Sequence, residues 1–453
     1  MNKRILASAA ALLMCMSVFA GCGDKPEDGA EVETSVNVIE NGTEAPSEEP
    51  AEGSGTTVSV NFDDPAAQLG IGSEGTLSPD IPDVDATEAE TTLPANHEDV
   101  MNMITNTEVT TKAPVLKEYN VDYSTRYGYN QLNDAEKKLY AQILEAVKSV
   151  KLKVDVDESV TDEMWVKVYG CMYIQEPQLF WLSSKRVTKG KLWYWEVDPD
   201  IIASMQKEID AKVGKVLAEA EGKSDYDKLK VFHDYISLNN DFVKDEGFNQ
   251  TIYGGFVTGT IQCEGYAKTM QYLCDLSGVE SMIVVGTNDA GDSHAWNVVK
   301  VDGSWYNLDT TWDDPILTEV DSTNVRYRYF LVPDEWIHNK SHFNINKKTT
   351  GTQVTYFNPP ACTSSDKNYF KVTNQLYSDK ASADAALKDK MKSAASSKLR
   401  AAEIRVASKD VYDAITANLK DYATWIKGEN SAVKSVASNC DPNTLVIELD
   451  LIY

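Results

Sequence analysis

A cysteine stands at the start of a helical pattern in the stretch GTIQCEGYAKTMQYLC, where Ala267, Met270, Leu273 and Cys274 keep helical spacing behind Cys263 as far as Gly278, a C-cap residue. A helix start presents unpaired backbone N–H groups and the positive end of the dipole. Both favour a thiolate at Cys263, and the same N–H groups can stabilise an acyl-transfer oxyanion. A disulfide from Cys263 to Cys274 is excluded on such a helix, because about eleven residues at ~1.5 Å rise hold the two roughly 16 Å apart.

A thiolate nucleophile needs a base and a group to orient that base, and the next segments supply both types. HAWNVVKV and SWYNLD flank Asp302 and Gly303, a strong hairpin signal. Counting outward from a two-residue turn pairs Val301 with Ser304, Trp296 with Asp309 and His294 with Thr311. His294, Trp296 and Asp309 therefore share a face, since strand side chains alternate. That makes His294 and Asp309 diagonal neighbours, about 7–8 Å apart at Cα and closer at their tips. A carboxylate within reach of an imidazole fixes its tautomer and stabilises its charged form. Cys263, His294 and Asp309 also offer three metal-ligand types, but contain no short ligand pair among themselves, so no metal is expected.

The elements that must position these residues can be read on either side. Residues 116–200 predict a helix-rich subdomain. Its first helix opens on the Asn133/Glu136 capping box, a second helix spans about 161–173, and strand-like aromatic segments LFWL and KLWYWEV hinge at Lys189 and Gly190. Those aromatics either line a carbohydrate or peptide groove or pack as core. Residues 201–360 hold the chemistry-bearing stretch, with helices near 201–221 and from Ser224, the latter putting His233 on an apolar stripe as a packing residue. After the cysteine helix comes a strand, SMIVVG. Residues 361–453 predict a small accessory α+β domain: a helix near 382–395, a strand EIRVA, a helix with Val411, Ile415, Leu419, Tyr422 and Ile426 on one face, and a closing strand with Leu445, Ile447, Leu449, Leu451 and Tyr453 on one side.

The 453-residue chain carries a formal net charge of −27. Its start reads as an export signal over 1–21, with Lys3 and Arg4, the apolar run 5–20, and FAGC ending in Cys22. That ending resembles the lipobox of bacterial lipoproteins, which implies Cys22 as the lipidated residue. Residues 22–115 form an acidic linker expected to be disordered, with about 21 acidic and about 2 basic side chains and Phe62 as its one aromatic. The acidity gives no support to a nucleic-acid partner, which needs clustered Lys and Arg. The expected location is the extracytoplasmic face of a bacterial membrane, reached through the lipid anchor. Of the seven cysteines, Cys171, Cys263, Cys274, Cys362 and Cys440 remain after Cys15 and Cys22, an odd number that leaves at least one thiol unpaired within the chain.

CEGYAKTMQYLCDLSGV followed by SHAWNVVKVDGSWYNLDTTWDDP resembles the core of the bacterial transglutaminase-like superfamily, as do FHDYISLNNDFV and YGGFVTG before it. The resemblance implies a papain-like α+β fold that uses no cofactor. By it, Cys263 corresponds to the nucleophile, His294 to the general base and acid, and Asp309 to the residue orienting the histidine. One departure stands out: animal transglutaminases carry an oxyanion-stabilising tryptophan upstream of the cysteine, and this chain has none between Trp195 and Trp296. Tyr253 and Gln262 are the candidate substitutes. The expected activity is cysteine-dependent amide acyl transfer, with hydrolysis of peptide or peptidoglycan bonds ahead of protein cross-linking. The alternative is an inactive envelope adhesion or scaffold module that keeps the fold. Nothing in the sequence fixes an oligomeric state.

Overall fold

The computed structural model describes residues 122–453 apart from 245–246, 315–324, 339 and 344–356. The expected leader 1–21, the lipidation site Cys22 and the acidic stretch 22–115 lie outside the described residues. The described chain divides into two compact units, one holding 122–312 with 329–367 and the other 313–328 with 368–453.

The larger unit begins with helices whose ends follow from their caps. Helix α1, Asp134–Lys148, starts at the reciprocal capping box of Asn133 and Glu136, and α2, Asp162–Gln175, starts at Thr161, whose hydroxyl accepts from Met164 N–H. Helix α3, Pro199–Ala220, has Asp198 as its N-cap and Pro199 at its first position. Helix α4, Asp225–Asn239, is capped by Ser224. His233 on α4 is fully buried, its ring edge-on to Phe330.

The aromatic segments between α2 and α3 do not form strands. They make only isolated bridges, such as Leu182 to Tyr194 and Lys153 to Lys191. Phe180, Trp181, Leu182, Leu192, Trp193 and Tyr194 are all buried, so these rings serve core packing rather than an open groove. A few backbone bonds join them, Ser183 N–H to Trp193 O and Trp195 N–H to Trp181 O, and side-chain burial does the rest.

Beyond α4 the chain forms a short parallel pair, β1 (Asp241–Phe242) with β2 (Thr260–Ile261), and then α5, Cys263–Ser277. Gly278 ends α5 in the left-handed conformation, φ 76°. Strands β3 (Ser281–Thr287), β4 (Ser293–Val301) and β5 (Ser304–Leu308) form an antiparallel sheet in the order β3-β4-β5. Asp302 and Gly303 take positive φ, 48° and 84°, as the two-residue turn requires. The β4–β5 ladder runs from Val301–Ser304 to Asn297–Leu308 in the expected register, and stops there. The outward pairs Trp296–Asp309 and His294–Thr311 do not form. Instead Asp309 N–H donates to Tyr329 O and the chain coils into a short helical turn, Thr310–Asp313.

The second unit is an α+β layer whose sheet runs β6-β7-β9-β8, comprising Leu376–Tyr377, Ala401–Val406, Val446–Ile452 and Ser435–Ser438 respectively. Helix α6, Lys380–Ser397, covers it with Ala383, Leu387 and Met391 in the core. The expected single helix after Ser408 is two, α7 (Lys409–Thr416) and α8 (Leu419–Glu429). Asn418 is the cause: its side-chain amide donates to Ala414 O at 2.7 Å, while its backbone N–H turns to Ile415 O. An Asn side chain competing for helix carbonyls breaks the ladder locally.

Candidate active site

Four short stretches bring the expected residues together. The β1–β2 pair leads the chain to Gln262, whose N–H donates to Asn249 O and whose carbonyl accepts from Tyr266 N–H, the first bond of α5. Gln262 is thus the N-cap and Cys263 the first helical residue. Gly265, in the same turn, permits this packing: a Cβ there would collide with Asn249 O and lie 2.9 Å from Ile261 Cβ. Cys263 is half-buried with a free thiol, whereas Cys171, Cys274 and Cys362 are free and wholly buried.

Strand β4 delivers the histidine. Asn297 donates to Ala267 O of α5 at 3.0 Å, which ties the strand to the cysteine helix. Two residues apart on the other face, His294 and Trp296 have their rings stacked with centroids 5.8 Å apart. Opposite His294 on β3 lies Gly286. A Cβ at Gly286 would sit 2.5 Å from Phe343 O and 2.9 Å from the Trp296 ring, so only glycine lets the 341–343 segment approach this strand. Phe343 then exchanges two backbone hydrogen bonds with Thr287, at 2.9 and 2.7 Å.

Asp309, just past the end of β5, is the hub. Its Oδ2 lies 2.6 Å from His294 Nε2 and 2.8 Å from His342 Nε2; its Oδ1 accepts the N–H groups of Thr311 at 3.0 Å and Trp312 at 3.2 Å. The carboxylate thus caps the Thr310–Asp313 turn with one oxygen and holds two imidazoles with the other. With Nε2 of His294 committed to Asp309, Nδ1 is the ring nitrogen left to serve Cys263, whose side chain is among the groups that raise this histidine. Trp312, Trp296 and Tyr329 surround the His342 ring at centroid distances of 4.8, 4.7 and 5.6 Å.

The charges of the cluster follow from this geometry. Burial alone would make His294 harder to protonate, but the Asp309 charge and hydrogen bond, with the contact to Cys263, overcome it and raise its pKa to about 10. Burial alone would likewise raise Asp309. The charge and hydrogen bond of His294, and those of His342, outweigh it and hold the carboxyl well below the usual range. For His342 burial prevails, and its pKa falls in spite of the pull of Asp309. The set at neutral pH is therefore an ionised Asp309, a charged His294 and a neutral His342 whose Nε2–H points at the carboxylate. That leaves His342 Nδ1 to accept the Ser341 hydroxyl at 2.8 Å.

His294, Asp309 and His342 offer three metal-ligand atoms within 4.8 Å of one another. The nitrogen–oxygen separations of 2.6 and 2.8 Å are hydrogen-bond distances. A tetrahedral ion with bonds near ~2.1 Å would spread its ligand atoms to roughly 3.4 Å. The arrangement fits shared protons better than an ion.

Of the two oxyanion candidates, Gln262 adjoins Cys263 in sequence, and its buried side-chain Nε2 has no hydrogen-bond partner among the described residues. Tyr253 is engaged elsewhere: its hydroxyl is 3.2 Å from Glu208 Oε2 on α3 and its ring stacks on Phe180. Its single O–H is committed to a carboxylate. His342 escaped the sequence reading. HNKSH places two histidines four residues apart, a spacing that could have drawn attention, but it sits in no periodic element and nothing local connects it to Asp309.

Residues 215–310 match the model of the Transglutaminase-like superfamily. The curated protein "Kyphoscoliosis peptidase" of Homo sapiens is 29% identical over 103 residues, covering 20% of this chain and 16% of that protein. Its Mus musculus counterpart is 27% identical over 106 residues, with the same coverage. The chain therefore spans about a sixth of the length of these relatives. A solved structure described as "Crystal structure of a TGase" is 21% identical, with a TM-score of 0.21, over 23% of this chain and 31% of that one. The chain carries a transglutaminase-like core within an α+β fold.

Proposed function

We propose that this protein is a cysteine-dependent amide acyl-transfer enzyme, with Cys263 as nucleophile, His294 as base and acid, and Asp309 as the residue that orients and charges the histidine. The observation that carries the reading is the arrangement itself: a half-buried thiol on the first residue of a helix, electrostatically coupled to an imidazole held at 2.6 Å by a buried carboxylate. An imidazolium beside a sulfur at a helix N-terminus is the setting that favours a thiolate.

The chemistry follows in two balanced steps. The thiolate adds to the amide carbonyl carbon, and the oxyanion is met by backbone N–H groups at the start of α5 and by the unpartnered Gln262 amide. The carbon–nitrogen bond then breaks as His294 gives its Nδ1 proton to the departing amine, leaving a thioester and a neutral ring. Water, or a second amine, attacks the thioester as His294 takes up its proton. The thiolate and imidazolium are restored on release of the acid or the new amide.

Hydrolysis of peptide or cell-wall amide bonds is the favoured outcome, since the upstream tryptophan of the animal cross-linking enzymes is absent. Attachment through Cys22, with 22–115 as a tether, would place the enzyme at the outer face of the membrane. No helix among the described residues is long and apolar enough to span one.

The test is mass-spectrometric mapping of iodoacetamide adducts across a pH series in wild type and His294→Ala, beside a screen of peptides and peptidoglycan fragments for cleavage. Cys263 is expected to label ahead of Cys171, Cys274, Cys362 and Cys440, and to slow when His294 is removed. An inert Cys263, or one indifferent to His294, overturns the enzymatic reading in favour of a scaffold module. Retention in the membrane fraction by Cys22→Ala overturns the anchor.

A further inference from the structure

The Asp309 carboxylate serves two histidines, and the acyl-transfer relay uses only one of them. His342 is fully buried and lies 2.8 Å from the oxygen that also meets His294. It is held on every side. Its backbone N–H donates to Ile337 O at 3.1 Å, the following residue is bonded to β3 at Thr287, Ser341 takes Nδ1, and Trp296, Trp312 and Tyr329 pack on the ring. A buried side chain fixed so completely presents one donor in one direction.

We infer that His342 is a positioning residue: by donating its Nε2–H to Asp309 Oδ2 it keeps that carboxylate ionised and aimed at His294, and so keeps His294 in its charged form. The physical case is a count of donors. A buried carboxylate stays charged only where donors replace the water it has lost. Asp309 has two backbone N–H groups on Oδ1 and, besides His294 itself, His342 as the remaining side-chain donor among the described residues. Removing that donor leaves a lone pair of a buried anion unmet, which favours its protonation and weakens its hold on His294.

The charged and titratable groups facing His342 among the described residues include Asp309, His294, His338 and the Tyr329 ring. Burial first of all keeps His342 neutral, the charge of His294 adds to it, and the Ser341 hydroxyl at Nδ1 leaves Nε2–H as the donor to the carboxylate. The consequence for turnover rests on the acyl-transfer reading above. The effect on His294 does not.

Two variants separate donation from packing. His342→Gln retains an N–H donor at nearly the reach of Nε2, whereas His342→Phe retains the ring volume and removes the donor. The first readout is the titration midpoint of the His294 ring by NMR, made tractable by only five histidines in the chain. The second is the iodoacetamide labelling rate of Cys263 between pH 5 and 9. The midpoint is expected to fall in His342→Phe and hold in His342→Gln. Labelling near pH 6 should slow about tenfold to a hundredfold in the Phe variant and stay within about threefold of wild type in the Gln variant.

Equal losses in both variants, with a common fall in melting temperature, would reduce His342 to a packing residue and overturn the inference. Unchanged behaviour in both would do the same. If Cys263 labels rapidly and depends on His294 while the midpoint ignores His342, the inference falls alone. If the midpoint responds as expected but Cys263 is inert, the positioning role stands and the acyl-transfer reading falls.

Discussion

One helix carries two cysteines in opposite settings. Cys263 opens α5, half-buried and electrostatically coupled to His294. Cys274, near the other end, is fully buried, and burial first of all pushes its thiol well above the ordinary range, with the nearby Asp275 adding to the effect. The residue type is the same and the helix is the same. What differs is the end of the dipole, access to solvent and the charge of the neighbour. A thiol becomes reactive through its surroundings, and only one of these two surroundings holds a cation beside an accessible sulfur.

The largest effect that could break this contrast comes from Cys263→Ser. Turnover is expected to fall by at least about a thousandfold with folding intact, because a hydroxyl is a far poorer nucleophile near neutral pH. Steady-state hydrolysis beside circular dichroism checks it; retained activity would leave α5 with two structural cysteines.

Asp309→Asn is expected to cost less activity than Cys263→Ser, since the nucleophile remains. It should cost more stability, about 3 kcal/mol, because it strips a buried imidazolium of its counter-charge. Paired measurement of kcat and chemical denaturation tests this. Equal and total loss of activity in a stable protein would give Asp309 a larger role than orientation.

A pH effect of intermediate size sharpens the same point. The His294 pKa is raised in the folded state to about 10, against about 6.5 in an unfolded chain. Its contribution to stability is therefore fully present below about pH 6.5 and is lost as pH rises toward 10. Asp309 acts in the opposite sense. Its depressed pKa contributes stability that is present above about pH 4 and lost as pH falls further. Thermal melts from pH 6 to 10 should show the alkaline loss in wild type and a smaller one in His294→Ala.

The smallest effect is expected from Cys274→Ala. Activity should stay within about twofold of wild type, with a stability loss of about 1 kcal/mol for the sulfur removed from a filled core. In the folded wild-type protein, Cys274 should alkylate only on unfolding. Rapid labelling of Cys274 under native conditions would erase the distinction between the two ends of the helix.

Much of this arrangement is a local property of the chain. The Asn133/Glu136 box, the caps Thr161 and Ser224, the Gly278 terminus and the Asp302–Gly303 turn each depend on a few adjacent residues, so composition and spacing determine them. The hairpin register is local too, and it places His294 on the strand that meets Asp309. Sequence alone could not determine what happens where local and distant interactions compete. The aromatic segments at 179–197 have strand propensity but are held by burial on several sides. The helix expected after Ser408 is cut by one side-chain amide. Asp309 leaves the ladder because Tyr329 O takes its N–H and Thr311 and Trp312 need a cap. His342 is the plainest case. Its place beside Asp309 depends on Gly286 opening a gap on β3 and on Phe343 pairing with Thr287. Those contacts join segments far apart in the chain, and a side chain's periodicity reports only on the element that carries it. Short-range pattern thus determined where Cys263, His294 and Asp309 stand in their own elements; the second imidazole on Asp309 is brought there by contacts that only the tertiary fold supplies.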